Sequence, residues 1–322
     1  MSKNKAIGNP LLIIGPSLQK HGIGGVTIHV QRLRDYLERN NYEYVFVDYK
    51  SNHLFQMVKS VSHSKQIHIH ISNPIYQFAM VLFCRLMGKK VIMTLHGNYG
   101  RFTKLKNWMV RSALKMATVP VIINEKSYEA CKGFNKNTRL IPAFIPPQKE
   151  EFLQQEIIDL LKGLHENGKR IVSTNAYNIS TDTEGNDTYG IDFLVDYFKY
   201  ATDSVLVVSD PSGNYHKRYT GLDFDSNSVR FIDYPHPYFE LLKLADFFVR
   251  NTSTDGDALS VKEALYLGVP TLCSDVVDRP EGVCLFKYSD SASFTDCFKN
   301  ATVPNVTMSN GAETLMELYK EI

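Results

Sequence analysis

Apolar positions along the chain fall into short unbroken runs, separated by longer stretches in which they recur every three to four residues. The runs Leu11–Gly15, Tyr44–Val47, Ile67–Ile71, Lys90–Leu95, Val119–Ile123 and Arg139–Ile141 predict strands in the first half. Arg170–Ser173, Val205–Ser209, Val229–Ile232, Phe247–Val249 and Thr271–Cys273 predict strands in the second. Helical spacing over Val26–Arg39, Ile75–Met87, Phe102–Met116 and Lys126–Lys132 fills the gaps in the first half. Ile191–Ala201, Pro237–Leu244, Leu259–Leu267 and Ala312–Ile322 do the same in the second. The polar, turn-rich stretches Thr181–Tyr189 and Pro211–Ser228 read as loops. Strand–helix alternation of this kind gives an α/β protein whose parallel sheets carry helices on both faces.

A length of 322 residues fits two such domains in series, each large enough to bury its own core. The proline-rich link Ile141-Pro-Ala-Phe-Ile-Pro-Pro147 marks the boundary. Charge marks it too. The formal net charge is only +2, but residues 1–150 carry 22 basic and 7 acidic side chains, and residues 151–322 carry 14 and 27. No Asp or Glu occurs from Tyr49 to Asn124. The expected organisation is therefore two Rossmann-like domains, 1–150 and 151–310, with the last helix, 311–322, crossing back onto the first. Ligands belong at the carboxyl ends of the strands.

Five scattered cysteines without a C-x-x-C pair argue against a disulfide framework and for a reducing cytoplasm. The apolar run after Pro10 is too short for a signal peptide, and Phe78–Cys84 is far short of the roughly 20 residues that span a bilayer.

The most informative stretch runs Val249-Arg-Asn-Thr-Ser-Thr-Asp255-Gly-Asp257-Ala-Leu-Ser-Val-Lys-Glu263-Ala-Leu-Tyr-Leu-Gly268-Val-Pro270. A strand enters a loop of small residues, and the loop enters a helix. The first amides of that helix, Leu259, Ser260 and Val261, have no partner within it and suit a phosphate. Glu263, one turn in, can accept from the vicinal hydroxyls of a ribose, and Asp255 from those of a second sugar. Taken alone, the two acids read as an N-capping Asp and a solvated helix Glu. Their spacing, followed by Glu263-Ala-Leu-Tyr-Leu-Gly268-Val-Pro270 and Ser274-Asp-Val-Val-Asp-Arg-Pro-Glu-Gly282, resembles the acidic E-x7-E signature of the retaining glycosyltransferases of family 4. The resemblance extends over nearly the whole chain. It implies a GT-B fold, two Rossmann-like domains facing a cleft, and transfer of a sugar from a nucleotide diphosphate to a hydroxyl with retention at the anomeric carbon. It implies the nucleotide-sugar as co-substrate and no metal or other cofactor. Asp255-Gly-Asp257 also matches a metal-binding D-x-D, but its place before a phosphate-binding helix favours sugar contact.

In the first domain, His21-Gly22-Ile-Gly24-Gly25-Val-Thr-Ile-His29 follows the first strand. The resemblance matches Gly24 and Gly25 to the family's Gly-Gly loop on the donor phosphate, and His96 to its cleft histidine. The rival is a dinucleotide fingerprint, Gly22-x-Gly24-x-x-Thr27 with Asp48 beyond, which would make the chain an NAD-binding oxidoreductase. It lacks the third glycine and the tight strand-to-helix turn. His68 and His70 have an i, i+2 spacing that suits a metal, but with no third ligand evident they read as core or cleft packing.

The chain departs from the family at the first loop of the second domain, Ser173-Thr-Asn-Ala-Tyr-Asn178, where neither the Arg nor the Lys of the diphosphate clamp is present. Tyr189 stands where the Lys is expected. Arg250 and Arg279 are the candidate replacements, each equally readable as a structural ion-pair partner. The missing clamp keeps open a non-catalytic subunit that binds a nucleotide or a partner.

Arg101, Lys104, Arg111 and Lys115 share one face of a helix whose other side carries Phe102, Leu105, Met109 and Trp108, the only tryptophan. Such a helix rests on an anionic membrane or packs its apolar side on the sheet. No nucleic-acid motif accompanies the positive charge. The expected acceptor is a saccharide, lipid-linked and destined for a bacterial surface polysaccharide or capsule. The expected location is the cytoplasm, peripheral on the inner face of the membrane.

Overall fold

The apolar runs are unbroken because the strands they form are covered on both faces. Leu11–Gly15 and Ser204–Ser209 are buried at every position. The structure, a computed structural model, describes residues 10–17, 24–51, 54–182, 184–221, 228–254 and 258–322. The chain divides into two compact units, one comprising residues 1–149 with 309–322, the other residues 150–308.

In the first unit the strands are β1 (Leu11–Gly15), β2 (Tyr44–Asp48), β3 (Gln66–Ile69), β4 (Lys90–Leu95), β5 (Val119–Ile122) and β6 (Arg139–Leu140). They form a parallel sheet in the order β2-β1-β3-β4-β5-β6. The helices are α1 (Gly25–Arg39), α2 (Leu54–His63), α3 (Pro74–Leu86), α4 (Lys104–Met116) and α5 (Glu125–Cys131). The second unit contains β7 (Arg170–Asn175), β8 (Ser204–Ser209), β9 (Val229–Ile232), β10 (Phe247–Arg250), β11 (Thr271–Ser274) and β12 (Cys284–Phe286). Their order is β12-β11-β10-β7-β8-β9, again parallel. Its helices are α6 (Gln155–Glu166), α7 (Ile191–Phe198), α8 (Asn214–Tyr219), α9 (Tyr238–Leu242), α10 (Leu259–Tyr266) and α11 (Ser291–Asn300). The strand order reverses between β1 and β3 in one unit and between β7 and β10 in the other, the positions at which sheets of this topology bind ligands.

The last helix, α12 (Gly311–Glu321), belongs to the first unit. Ala312, Leu315, Leu318 and Tyr319 share a core with Leu11, Ile13, Leu33 and Leu37. A Cβ at residue 311 would lie 2.0 Å from the Pro142 carbonyl oxygen, so only glycine fits where α12 begins. Tyr319 Oη lies 2.6 Å from His68 Nδ1, and its carbonyl accepts from Gln66 Nε2.

Three expectations change. Pro211–Ser228 is not wholly a loop, because α8 forms within it. Tyr215 and Tyr219, one turn apart, bury their rings there and bond Asp187 and Asp192 through their hydroxyls. The helices α2, α6 and α11 and the strand β12 add to the elements predicted. Finally, the scattered cysteines pointed to no disulfide, yet Cys284 and Cys297 form one. Strand β12 and α11 pack with these Cα atoms 5.9 Å apart, a proximity no sequence motif announces. Cys84, Cys131 and Cys273 are buried.

Candidate active site

In the second unit the strand reversal brings the carboxyl end of β10 beside that of β7. Arg250, last in β10, donates from Nη1 to the Asn175 carbonyl at 3.1 Å and lies over the Tyr189 ring, 5.0 Å from its centroid. Tyr189, found where a lysine was expected, is therefore the platform on which a guanidinium rests. The next residue, Gly190, has φ +57°, and a Cβ there would lie 2.3 Å from Asn251 Nδ2, which donates to the Gly190 carbonyl. Arg279 donates to the Ser274 carbonyl at 3.3 Å and to Thr252 Oγ1 at 3.1 Å, at the end of β11. Both cations expected to replace the clamp thus sit at strand carboxyl ends, held by carbonyl and hydroxyl oxygens.

Helix α10 follows β10 in the chain and packs against β10 and β11. Ala258 occupies its cap position without a side-chain cap bond, and Leu259, Ser260 and Val261 form its first turn. Glu263 lies one turn in and is buried. Tyr238, on α9, faces both Glu263 and Arg250. Its hydroxyl meets Ser173 Oγ at 2.9 Å, and burial, with the Glu263 carboxylate adding to it, raises its pKa well above the ordinary tyrosine value. Asp255 and Asp257 lie outside the described residues. The chain leading to them, Ser253 and Thr254, joins Thr181, Asp182, Glu184, Asn186 and Tyr288 around a cavity of about 520 Å³.

In the first unit, Gly24 caps α1 with extended backbone, φ −160°, and its N–H donates to Thr27 Oγ1 at 2.9 Å. That amide is therefore engaged within the helix cap. A Cβ at Gly25 would meet nothing within 4 Å. No turn or packing constraint therefore calls for glycine at residue 25, and the open space is what a ligand approaching the backbone needs.

His96, just past β4, is buried, and its Nε2 lies 3.0 Å from Nδ1 of His70, just past β3. His29, on α1, places its ring 5.2 Å from His70 and 5.0 Å from His96, centroid to centroid. His68, the other member of the i, i+2 pair, meets Tyr319 Oη and, at 2.7 Å, Thr94 Oγ1. Burial, with neighbouring imidazoles adding to it, holds His68, His70 and His96 well below the usual histidine pKa, so all three are neutral at pH 7.

The predicted basic helix is only partly as expected. Val110, Ala113 and Leu114 form its buried side, while Leu105 and Trp108 are 63% and 56% exposed, beside the cations rather than on the sheet. Arg101 precedes α4, donates to the His96 carbonyl and lies over Phe102, and Arg111 lies over Phe134. Among the described residues, no helix is long and apolar enough to cross a membrane.

Sequence reading missed His29, Asn175, Thr252 and Tyr238. His29, Asn175 and Thr252 lay within stretches that were singled out, the glycine loop, the first loop of the second domain and the acidic stretch, whereas Tyr238 carried no signal.

No family model and no curated protein sequence matches the chain. Solved structures do. Anabaena HepE in complex with UDP and glucose has a TM-score of 0.68 at 12% identity over 98% of this chain and 100% of that one. Sucrose-phosphate synthase from Thermosynechococcus elongatus has 0.65 at 14% identity, covering 98% and 99%. The catalytic domain of starch synthase IV from Arabidopsis thaliana, bound to ADP and acarbose, has 0.63 at 13%, also covering 98% and 99%. The fold, two parallel six-stranded sheets with helices, is that of the GT-B glycosyltransferases.

Proposed function

We propose that the protein is a glycosyltransferase that moves a sugar from a nucleotide diphosphate to a hydroxyl acceptor with retention at the anomeric carbon. One observation carries this reading. A helix N-terminus, the Arg250 guanidinium and the buried Glu263 carboxylate gather at the strand reversal of a GT-B fold. In this reading Leu259–Val261 and Arg279 hold the diphosphate, Glu263 the ribose and Asp255 the donor sugar. As the bond from the anomeric carbon to the phosphate oxygen breaks, negative charge grows on the β-phosphate. Arg250, already oriented by Asn175 and Tyr189, stabilises it at little cost in reorganisation. No metal is needed for this step.

The acceptor in this reading is a lipid-linked saccharide of a surface polysaccharide. The exposed Leu105 and Trp108 among Lys104, Lys106 and Arg111 support it, as a surface suited to an anionic leaflet at the inner face of the membrane. The solved relatives that bind UDP and glucose make a UDP-hexose the first donor to try.

The absent family clamp favours a second reading, a non-catalytic nucleotide-binding subunit. A panel of UDP-, GDP- and dTDP-sugars separates the two. Release of nucleotide with at least one donor is expected. Glu263→Gln, which keeps the side-chain volume, should weaken donor binding by about 100-fold, as expected for loss of a charge-assisted bidentate contact. Binding without turnover would leave the subunit reading, and unchanged affinity in Glu263→Gln would overturn the site.

A further inference from the structure

We propose that His29, His70 and His96 form a binding site for a late first-row divalent metal ion such as Zn²⁺, at the strand reversal of the first unit. This does not rest on the sugar-transfer reading. Three elements converge there. Helix α1 brings His29, the end of β3 brings His70 and the end of β4 brings His96. All three are buried, and one ring nitrogen from each lies within 4.8 Å of the others.

The hydrogen bonds leave the rings ready to ligate. His29 Nδ1 is 2.9 Å from the Ala143 carbonyl, which can only accept, so Nδ1 carries the proton and Nε2 the lone pair. A backbone carbonyl on the outer nitrogen is the orientation that metal-binding histidines adopt. His70 Nδ1 and His96 Nε2, 3.0 Å apart, share a single proton between two lone pairs. Replacing that proton by a cation turns both nitrogens into ligands, the displaced proton moving to the outer nitrogen of the ring that carried it, so that both imidazoles stay neutral. The other nitrogen of His70, Nε2, is buried without a hydrogen-bond partner. His96 keeps Nδ1 on the far side of its ring.

Zn–N bonds of about 2.0–2.1 Å in a tetrahedral site need nitrogens about 3.4 Å apart, so small rotations of the rings close the set. An all-imidazole set selects Zn²⁺, Co²⁺, Ni²⁺ or Cu²⁺ over Mg²⁺ and Ca²⁺, which need oxygen ligands. Three neutral ligands leave the full charge of the ion in place with Arg101 nearby, so the fourth position suits an anionic oxygen.

The test uses full-length protein, freed of any histidine tag and stripped with a chelator, titrated with Co²⁺ and followed by its visible d–d absorption. The expected result is a saturable tetrahedral band at one equivalent that Zn²⁺ displaces. His29→Gln and His70→Gln should each weaken binding by about 100-fold or more, as expected for loss of a ligand. His63→Gln and His165→Gln, on the surface, should retain the band. Absence of a one-equivalent band in the wild type, or full binding in both ligand variants, overturns the site. If either variant fails to fold, X-ray absorption of the Zn²⁺-loaded wild type decides. Three imidazole nitrogens at the bond length above confirm the set, and any other first coordination sphere refutes it.

Discussion

The two strand reversals share a parallel α/β topology and carry opposite chemistry. In the first unit the crevice between β1 and β3 is walled by neutral, buried imidazoles. In the second, between β10 and β7, it is walled by guanidinium groups, a helix N-terminus and a buried carboxylate. Net charge runs the other way, since the basic residues lie mainly in the first half and the acidic ones in the second. Topology therefore fixes where a ligand can go, and total charge is a poor guide to what lines the place. The charge of a domain sits largely on its surface, whereas the crevice is set by the few side chains at strand ends.

The largest effect that would sharpen this contrast is a loss of stability in acid, centred on the first unit. His68, His70 and His96 have folded pKa values well below their ordinary 6.5. The unfolded chain therefore binds protons that the folded chain refuses. Their contribution is complete above about pH 6.5 and is lost as pH falls from there towards the folded values. Each group costs about 1.4 kcal/mol per pH unit in that window, so three cost about 4 kcal/mol per unit. Chemical denaturation at pH 7 and pH 5 measures the total, and hydrogen exchange locates it. Amides of β3 and β4 should lose protection before those of β7 and β8. The reverse order would mean that the imidazole cluster does not limit stability.

Next in size is the cost of removing Arg250. If it carries the charge on the departing phosphate, Arg250→Ala should lower kcat by about 10²–10³, as does loss of a single preorganised donor elsewhere. That corresponds to about 3–4 kcal/mol in the barrier. Arg250→Lys restores the charge but not the fork that holds the Asn175 carbonyl, and should recover only part. A larger loss in Arg279→Ala than in Arg250→Ala would move the role to the other cation and break the assignment at β10.

How far these places were legible in the sequence follows from the range of the forces involved. Strand β8 and helix α10 were readable because burial on both faces, or on one helical stripe, imposes a periodicity on consecutive residues. Helix α8 was not, because two tyrosines one turn apart in a polar segment are its only buried residues, and their partners, Asp187 and Asp192, lie more than 25 residues away. The acidic pair was named from local spacing alone, and Asp255 lies outside the described residues. The trio of His29, His70 and His96 escaped because it assembles across three elements, and the i, i+2 pattern in the strand paired His70 with His68, which is occupied by Tyr319 and Thr94. Arg250 could be named but not oriented, since its partners, Asn175 at the end of β7 and Tyr189 before α7, are distant in sequence.

The smallest effect tests whether the basic character of the first unit has a use that the second lacks. Lys104 and Lys106 are exposed at the start of α4, next to the exposed Leu105 and Trp108. On α3, Tyr76 and Leu86 are exposed too, and Phe78 meets Trp108 at a ring centroid distance of 5.7 Å. If this face rests on an anionic leaflet, each cation contributes about 1 kcal/mol, or about fivefold in partition. Lys104→Gln should reduce flotation with phosphatidylglycerol vesicles by about that factor, and the triple change Lys104/Arg111/Lys115→Glu should abolish it. Trp108→Ala should weaken flotation even at high salt, because an apolar contact is not screened, whereas the lysine effect should vanish there. An acidic surface gains nothing from such vesicles. Equal flotation of wild type and triple variant would therefore remove membrane docking from α4 and leave its exposed tryptophan to another partner.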